Sequence, residues 1–172
     1  ENNQETFGNL SSLLKCFELA KKDQSDLIYF VEDDYLHYEH SLVDMLNTYE
    51  RVSSQHKDEI IVCPSDYPFN YMNNEKTNIL IGSQQHWRTI TKMLCTFMIS
   101  KKMFQKHIDN FEKTCEKRHE PFEKYLNKIL ESEIGISPIK SLAIHMTNVN
   151  SSYGLSPFID IKKLWEENKI RQ

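Results

Sequence analysis

Several features that would assign a protein to a broad class are missing from this sequence. Its four cysteines lie far apart without any CxxC pair, which predicts free thiols in a reducing compartment. No apolar run is as long as a membrane span, and no signal peptide is visible. The formal net charge of −4 gives no support for nucleic-acid binding. No internal repeat or low-complexity tract is present.

The remaining composition is that of an ordinary globular protein. Hydrophobic residues make up 39% and charged residues 27% of the 172 positions, enough for a real core. We therefore expect a single domain over residues 1–172. Because the first residue is Glu1 and the opening five residues are polar and unpatterned, we also expect the chain to be part of a longer protein.

The most informative stretch is an apolar run that leads directly into three acids. Residues 27–31 predict a central strand covered on both faces, as in a parallel sheet, and Glu32, Asp33 and Asp34 follow it. Ligands bind at the carboxyl ends of strands in open α/β sheets. Adjacent carboxylates repel one another unless a positive charge lies among them, and their hard oxygens suit Mg²⁺ or Mn²⁺. The alternative is a solvated turn or a helix cap.

Predicted helices and strands alternate along most of the chain, which indicates an α/β fold. Apolar spacing predicts helices that begin at Leu10, Ser41, Ser100 and Glu120, and a short last helix capped by Asp160. Strands are predicted over 60–63, 78–82, 96–99 and 141–146. Loops are predicted over 64–71 and 147–157, the polar stretch 83–91 is unusual for plain structure, and Gly135 is expected to end the segment before the last strand.

Three further features have both a functional and a structural interpretation. Arg88 could hold a donor phosphate in fork geometry or form a surface ion pair, and the functional use is slightly favoured. The aromatic loop 64–71 could bind a ring-shaped ligand or pack over a sheet edge. His107 lies on an apolar helix face, which favours a core-edge histidine over a metal ligand.

A histidine closes the last predicted strand, as the acids close the first. If both strands lie in one sheet and point the same way, His145 and the acids can meet. A carboxylate pair with one imidazole is a plausible set for Mn²⁺, with phosphate oxygens completing the coordination.

At this point the sequence resembles the GT-A glycosyltransferases, in particular those related to family 2, over about residues 6–150. The resemblance lies in the order of the motifs: the helix from Gly8-Asn9, the apolar strand with its acidic DxD-type motif, His119-Glu120, Gly135, and the strand ending in His145. It implies a Rossmann-like mixed sheet flanked by helices. In this chain that fold would lack the N-terminal strand and helix that hold the nucleotide base.

The resemblance also implies roles for the acids and the histidine. Asp34 would coordinate the metal that bridges the donor diphosphate, and His145 would complete the metal site. Glu32 would lie near the ribose or a metal-bound water, in contact with both the nucleotide-sugar donor and the metal. Asp33, between Glu32 and Asp34, would have the least direct role. The first acid is Glu rather than Asp, which related enzymes tolerate.

The base that takes the proton from the acceptor would be Glu120 on this resemblance. The local sequence is His-Glu rather than the usual Glu-Asp, so Glu123 and Asp66 remain alternatives. A base opposite the leaving group gives inversion at the anomeric carbon, whereas an enzyme without one could retain the configuration.

The function implied is that of a hexosyltransferase-like enzyme in surface polysaccharide biosynthesis. It would use Mn²⁺ or Mg²⁺ to move a sugar from a nucleotide-sugar donor to a glycan or lipid-linked acceptor. It would lie in the cytoplasm, at the inner face of a membrane as a peripheral protein. A metal-dependent phosphohydrolase or nuclease and a non-catalytic binding domain are the alternatives.

Overall fold

The computed structural model describes residues 8–72, 74–146 and 159–169. The helices are α1 (Asn9–Lys22), α2 (Ser41–His56), α3 (Lys101–Lys106), α4 (Ile108–Glu116), α5 (Lys124–Ile129) and α6 (Ile161–Asn168). The strands are β1 (Leu27–Phe30), β2 (Tyr35–His37), β3 (Ile60–Val62), β4 (Ile79–Ile81), β5 (His86–Ile90), β6 (Phe97–Ser100), β7 (Ile134–Pro138) and β8 (Ala143–His145). A 3₁₀ turn covers Pro68–Tyr71. The loop predicted over 147–157 lies outside the described residues.

Six strands form one mixed sheet in the order β1-β6-β3-β7-β5-β4. Only β3 and β7 pair in parallel, and the other neighbours in this order are antiparallel. It follows that β1, β3 and β7 run in the same direction, so their carboxyl ends lie at one edge of the sheet. The remaining two strands, β2 and β8, form a separate antiparallel ribbon. The predicted α/β class is confirmed.

Helices cover both faces of the sheet. Along β3, Ile61 faces the core built with α1, α3, α4 and α5, while Ile60 and Val62 face the core built with α2. This division follows from the two-residue period of a strand. Phe17 of α1 is 1% exposed and meets Phe30 edge-to-face at 5.1 Å. Burying one such ring contributes roughly 1.5–3 kcal/mol.

The predicted central position of the first strand is wrong. Within the described chain β1 pairs only with β6, at the edge of the sheet, and only Phe30 among its four residues is buried. Val31 lies outside the strand and is 49% exposed. A continuous apolar run indicates burial but does not reveal which strands flank it. The strands buried along their whole length are β3 and β6.

The sequence assigned no helix or strand to the polar stretch over 83–91, and residues 86–90 of it form β5. Trp87 is fully buried there, and a Cβ at Gly82 would lie 2.3 Å from its ring. Gly135 does not end a segment but lies inside β7, where a Cβ would lie 2.5 Å from Leu130 Cδ2. Both glycines permit a close approach of a large side chain to the backbone.

The helix starts are partly as predicted. Ser100 accepts from Met103 N at 3.1 Å, and Asp160 accepts from Lys163 N at 3.1 Å, which confirms both caps. The helix expected from Glu120 begins at Lys124 instead. His107 separates α3 from α4 and lies 2.7 Å from Glu133, as a core-edge histidine.

The cysteines are free thiols, as predicted. Cys63 and Cys95 are buried, Cys115 is half-buried and Cys16 is exposed.

Within the described residues, no helix has both the length and the apolar character needed to cross a membrane.

Candidate functional site

Asp34 and His145 meet, although by a different route from the predicted one. The chain turns after β1 and enters β2, whose first residue, Tyr35, lies opposite His145 in β8. Nε2 of His145 lies 2.7 Å from Oδ2 of Asp34, and Met146 N donates to Asp34 O at 2.9 Å. The strand that carries the histidine therefore belongs to the antiparallel ribbon and not to the main sheet.

Aromatic contacts fix the imidazole. The His145 ring stacks on Tyr35 with centroids 4.9 Å apart and planes 13° apart. The Tyr35 hydroxyl lies 2.8 Å from that of Tyr67, which is 1% exposed in the loop after β3. The stacked ring of Tyr35 restricts the orientation of the His145 ring. The sequence signal for this support is weak, because the aromatic loop fits packing and ligand binding equally well.

Glu32 is the most perturbed acid of the three. It is half-buried, and its backbone N–H donates to Thr96 Oγ1 at 3.0 Å. Burial raises the pKa of Glu32 to about 7, with further raising contributions from Asp34, Glu123 and Asp33. The charges that raise this pKa are all carboxylates, so the site concentrates negative charge.

Glu123 interacts electrostatically with Glu32 and His145, whereas the interaction of Glu120 is with Glu123. Glu123 is half-buried just before α5, and burial raises its pKa while the charge of His145 lowers it. Glu123 also raises the pKa of Glu32. Glu120 is exposed and acts on Glu123. Of the two glutamates, the structure brings Glu123 to the acids.

A cavity of about 480 Å³ opens beside the acids. We call it the acidic cavity, and it is lined by Glu32, Asp33, Asp34, Cys95 and residues at the start of α1. Its described lining contains three carboxylates and no Lys or Arg. Asp33 is exposed. The amino end of α1 also lines the cavity and adds a partial positive charge.

Arg88 is not part of this site. It lies on β5, four strands from β1 in the sheet order, which is roughly 19 Å at about 4.8 Å per strand. Its Nη2 is 2.6 Å from the Tyr71 hydroxyl and 3.5 Å from the buried carboxylate of Asp66. Arg88 therefore forms an ion pair, here with a buried partner, and its contact with a donor phosphate stays a prediction. Asp66 is held in the same cluster, away from the acids that follow β1.

The geometry for a metal is incomplete as it stands. In residues 8–72, 74–146 and 159–169, no group of three or more His, Cys, Asp or Glu is arranged to hold an ion. The donor types nevertheless suit a hard divalent cation. Neighbouring ligands of an octahedral ion at about 2.1 Å lie about 3.0 Å apart. The Asp34–His145 pair, at 2.7 Å, would therefore need to widen only slightly.

Searches against protein-family models, curated proteins and solved structures give no match to this chain. The assignment of the site therefore depends on its own residues. The sequence analysis predicted Asp34, His145 and Glu32 as site residues, and it named Glu123 as an alternative base. It missed Thr96 and Cys95, because nothing in the pattern before β6 marks those two side chains as neighbours of the acids.

Proposed function

We propose that this chain is a metal-dependent glycosyltransferase of the GT-A type, which moves a sugar from a nucleotide-diphosphate sugar to an acceptor hydroxyl. The observation that carries the proposal is the 2.7 Å contact between Asp34 and His145 at the rim of the acidic cavity. The common direction of β1, β3 and β7 supports it, because ligands bind at the carboxyl ends of such strands.

Asp34 and His145 would hold Mn²⁺ or Mg²⁺, with Glu32 as a further contact. The three carboxylates that line the acidic cavity would repel a bare diphosphate. A bound divalent ion would supply positive charge against the leaving nucleotide diphosphate as its negative charge develops. The cavity volume of about 480 Å³ is within the usual range of ligand pockets, about 300–1,000 Å³.

Glu123 is the stronger candidate for the base in this proposal, in place of Glu120. A base must lie close to the reacting groups and needs a pKa near the working pH. Glu123 is half-buried, its pKa is raised by burial, and its charge couples to Glu32 and His145. Taking the acceptor proton from the side opposite the leaving group would give inversion.

The setting we propose is the cytoplasm, at the inner face of a membrane, in the synthesis of surface polysaccharide. The four free thiols fit a reducing compartment. The acceptor would be a glycan or a lipid-linked glycan.

A thermal-shift screen of nucleotide diphosphates and nucleotide sugars, with and without Mn²⁺, tests the proposal. A nucleotide at about 100 times its Kd should stabilise the chain by roughly 2.7 kcal/mol, and only with the metal present. The Asp34→Asn variant should lose this stabilisation, because an amide is a much poorer ligand than a carboxylate. The matched control is Asp33→Asn, which changes the exposed neighbour and should retain it.

Metal-dependent nucleotide binding that survives in the Asp34→Asn variant would contradict the proposal. Release of inorganic phosphate from a nucleotide sugar without an acceptor would favour a phosphohydrolase. If no nucleotide stabilises the wild-type chain in Mn²⁺, the acids are a solvated turn of a binding domain.

A further inference from the structure

A second cavity, of about 590 Å³, lies at the other end of the β2–β8 ribbon. Its walls come from the residues after β2, from α2, from the turn before β5, from the segment before β8 and from the start of α6. Its polar and charged lining residues include Asn47, Gln84, Gln85, Lys140, Asp160 and Lys163. No step of the proposed transfer uses this cavity.

Hydrogen bonds hold its inner wall in place. Asp44 is 2% exposed, and its carboxylate accepts from Gln84 N at 3.3 Å and from Gln85 Nε2 at 3.1 Å. The other end of the Gln85 amide accepts from Lys140 N at 3.1 Å. Three separate chain segments are therefore tied together before any ligand arrives, which lowers the entropy cost of binding.

The formal charges of the lining cancel. Asp44 and Asp160 are balanced by Lys140 and Lys163, whereas the described lining of the acidic cavity has three carboxylates and no Lys or Arg. We call this second site the neutral cavity. A phosphate-rich ligand would need a surplus of positive charge, which the lining does not have. The balance favours an uncharged polar ligand.

The polar groups of the neutral cavity match the hydrogen-bonding pattern of sugar hydroxyls. A hydroxyl both donates and accepts, and the side-chain amides of Asn47 and Gln84 do the same. Tyr38 and His40 add ring surfaces, with centroids 5.8 Å apart. A few placed polar groups beside aromatic rings are typical of a small-molecule site.

The ribbon connects the two cavities. Tyr35 and His145 pair at the acidic end, and Tyr38 N donates to Leu142 O at 3.0 Å at the neutral end. Three residues of strand span about 10 Å at about 3.3 Å each. A short oligosaccharide can cover this distance, whereas a single monosaccharide cannot.

We propose that the neutral cavity binds the non-reacting sugars of a neutral oligosaccharide, as a subsite for an extended acceptor. The role as an acceptor subsite rests on the proposed function, but the binding itself does not. The ligand class follows from the balanced charge and the amide lining, and the acceptor role follows from the ribbon that ends at the Asp34–His145 pair.

The test is a backbone-amide NMR titration of the chain with three neutral trisaccharides: maltotriose, cellotriose and triacetylchitotriose. At least one should shift amides of Gln84, Gln85 and residues 140–142, and inorganic phosphate should not. Asn47→Ala should weaken the effective trisaccharide about fivefold, the effect of one lost hydrogen bond. Val43→Trp, at a lining position that is 61% exposed, should abolish binding by filling the mouth of the cavity.

The matched control is Gln55→Ala, which removes an exposed amide from the same helix outside the cavity and should change nothing. If none of the trisaccharides shifts these amides, or if Val43→Trp leaves the shifts unchanged, the inference is overturned. Titration with Mg²⁺ and nucleotide diphosphates in the same samples separates the two proposals. Nucleotide shifts at the acids without trisaccharide shifts overturn only the subsite, and the reverse result overturns only the transferase.

Discussion

The acidic cavity and the neutral cavity are similar in volume but differ in how their carboxylates are compensated. In the neutral cavity, buried Asp44 accepts hydrogen bonds from Thr48, from Gln84 N and from Gln85 Nε2. In the acidic cavity, Glu32 is surrounded by further carboxylates, and its pKa rises to about 7. The charges that line the neutral cavity balance one another, whereas the acidic cavity concentrates negative charge.

This difference shows that the acidic cavity keeps an arrangement of charges that is unfavourable in the folded chain. A raised pKa means that the ionised form of Glu32 is less stable in the folded chain than in water. Groups of this kind cluster at functional sites. The comparison is the reason we propose the chemistry for the acidic cavity and the recognition of a polar ligand for the neutral one.

The largest expected effect comes from the acidic side. Glu123→Gln should lower the rate of sugar transfer by about 10²–10⁴-fold, because it removes the proposed base. Binding of Mn²⁺ with the nucleotide should be retained, as measured by thermal shift. Glu120→Gln, which changes the exposed glutamate three residues earlier, is the control and should have little effect on the rate. Equal losses in both variants would contradict the assignment of the base to Glu123.

A charge pair outside both cavities should act on stability alone. Arg88→Met leaves the fully buried carboxylate of Asp66 without its guanidinium, so the free energy of unfolding should fall by about 2–4 kcal/mol in urea denaturation. Metal and nucleotide binding should not change. In the exposed Lys92–Glu75 pair, Lys92→Met should cost less than about 1 kcal/mol. If Arg88→Met instead weakens nucleotide binding and leaves the free energy of unfolding unchanged, Arg88 belongs to the donor site.

The smallest expected effect is a pH-dependent gain in stability of the Glu32→Gln variant, measured with no metal present. The pKa of Glu32 is raised from its usual 4.5 to about 7, so the folded chain binds more protons than the unfolded chain between these values, and stability falls as the pH rises. Glu32→Gln removes this fall. At about pH 8 it should stabilise the chain by about 1 kcal/mol, a figure reduced for solvent screening of a half-buried group.

Below the usual pKa of the carboxyl, 4.5, the stabilities of the wild type and of Glu32→Gln should converge. The same change in the neutral cavity, Asp44→Asn, should be destabilising instead, because it replaces an acceptor of three hydrogen bonds. If Glu32→Gln destabilises the chain at about pH 8, the two cavities do not differ in the way described.

Asp34 and His145 lie together as the sequence predicted, but the premise of that prediction, two strands of one sheet that run the same way, is wrong. The route was not predictable, because the register of β2 against β8 joins residues 111 positions apart and follows from pairing in three dimensions. Trp87 and β5 were missed for a related reason. The polar residues of 83–91 hide a strand whose buried side chains occupy positions 87 and 90.

The neutral cavity could not have been predicted from the sequence. Its lining comes from five separate segments, and none of them carries a motif. The sequence did not decide between Glu120 and Glu123 as the base, and the reason is local. Helix α5 begins at Lys124, so the residues before it do not follow a helical period. Helical spacing from Glu120 therefore does not indicate which glutamate faces the acids.

The most direct test of the central claim is pulsed electron paramagnetic resonance of the chain with Mn²⁺, read for coupling to a directly bound imidazole nitrogen. We predict a nitrogen coupling in the wild type that is lost in His145→Gln and retained in His40→Gln, which changes a histidine of the neutral cavity. A spectrum without nitrogen coupling, or one that His145→Gln leaves unchanged, would contradict the account.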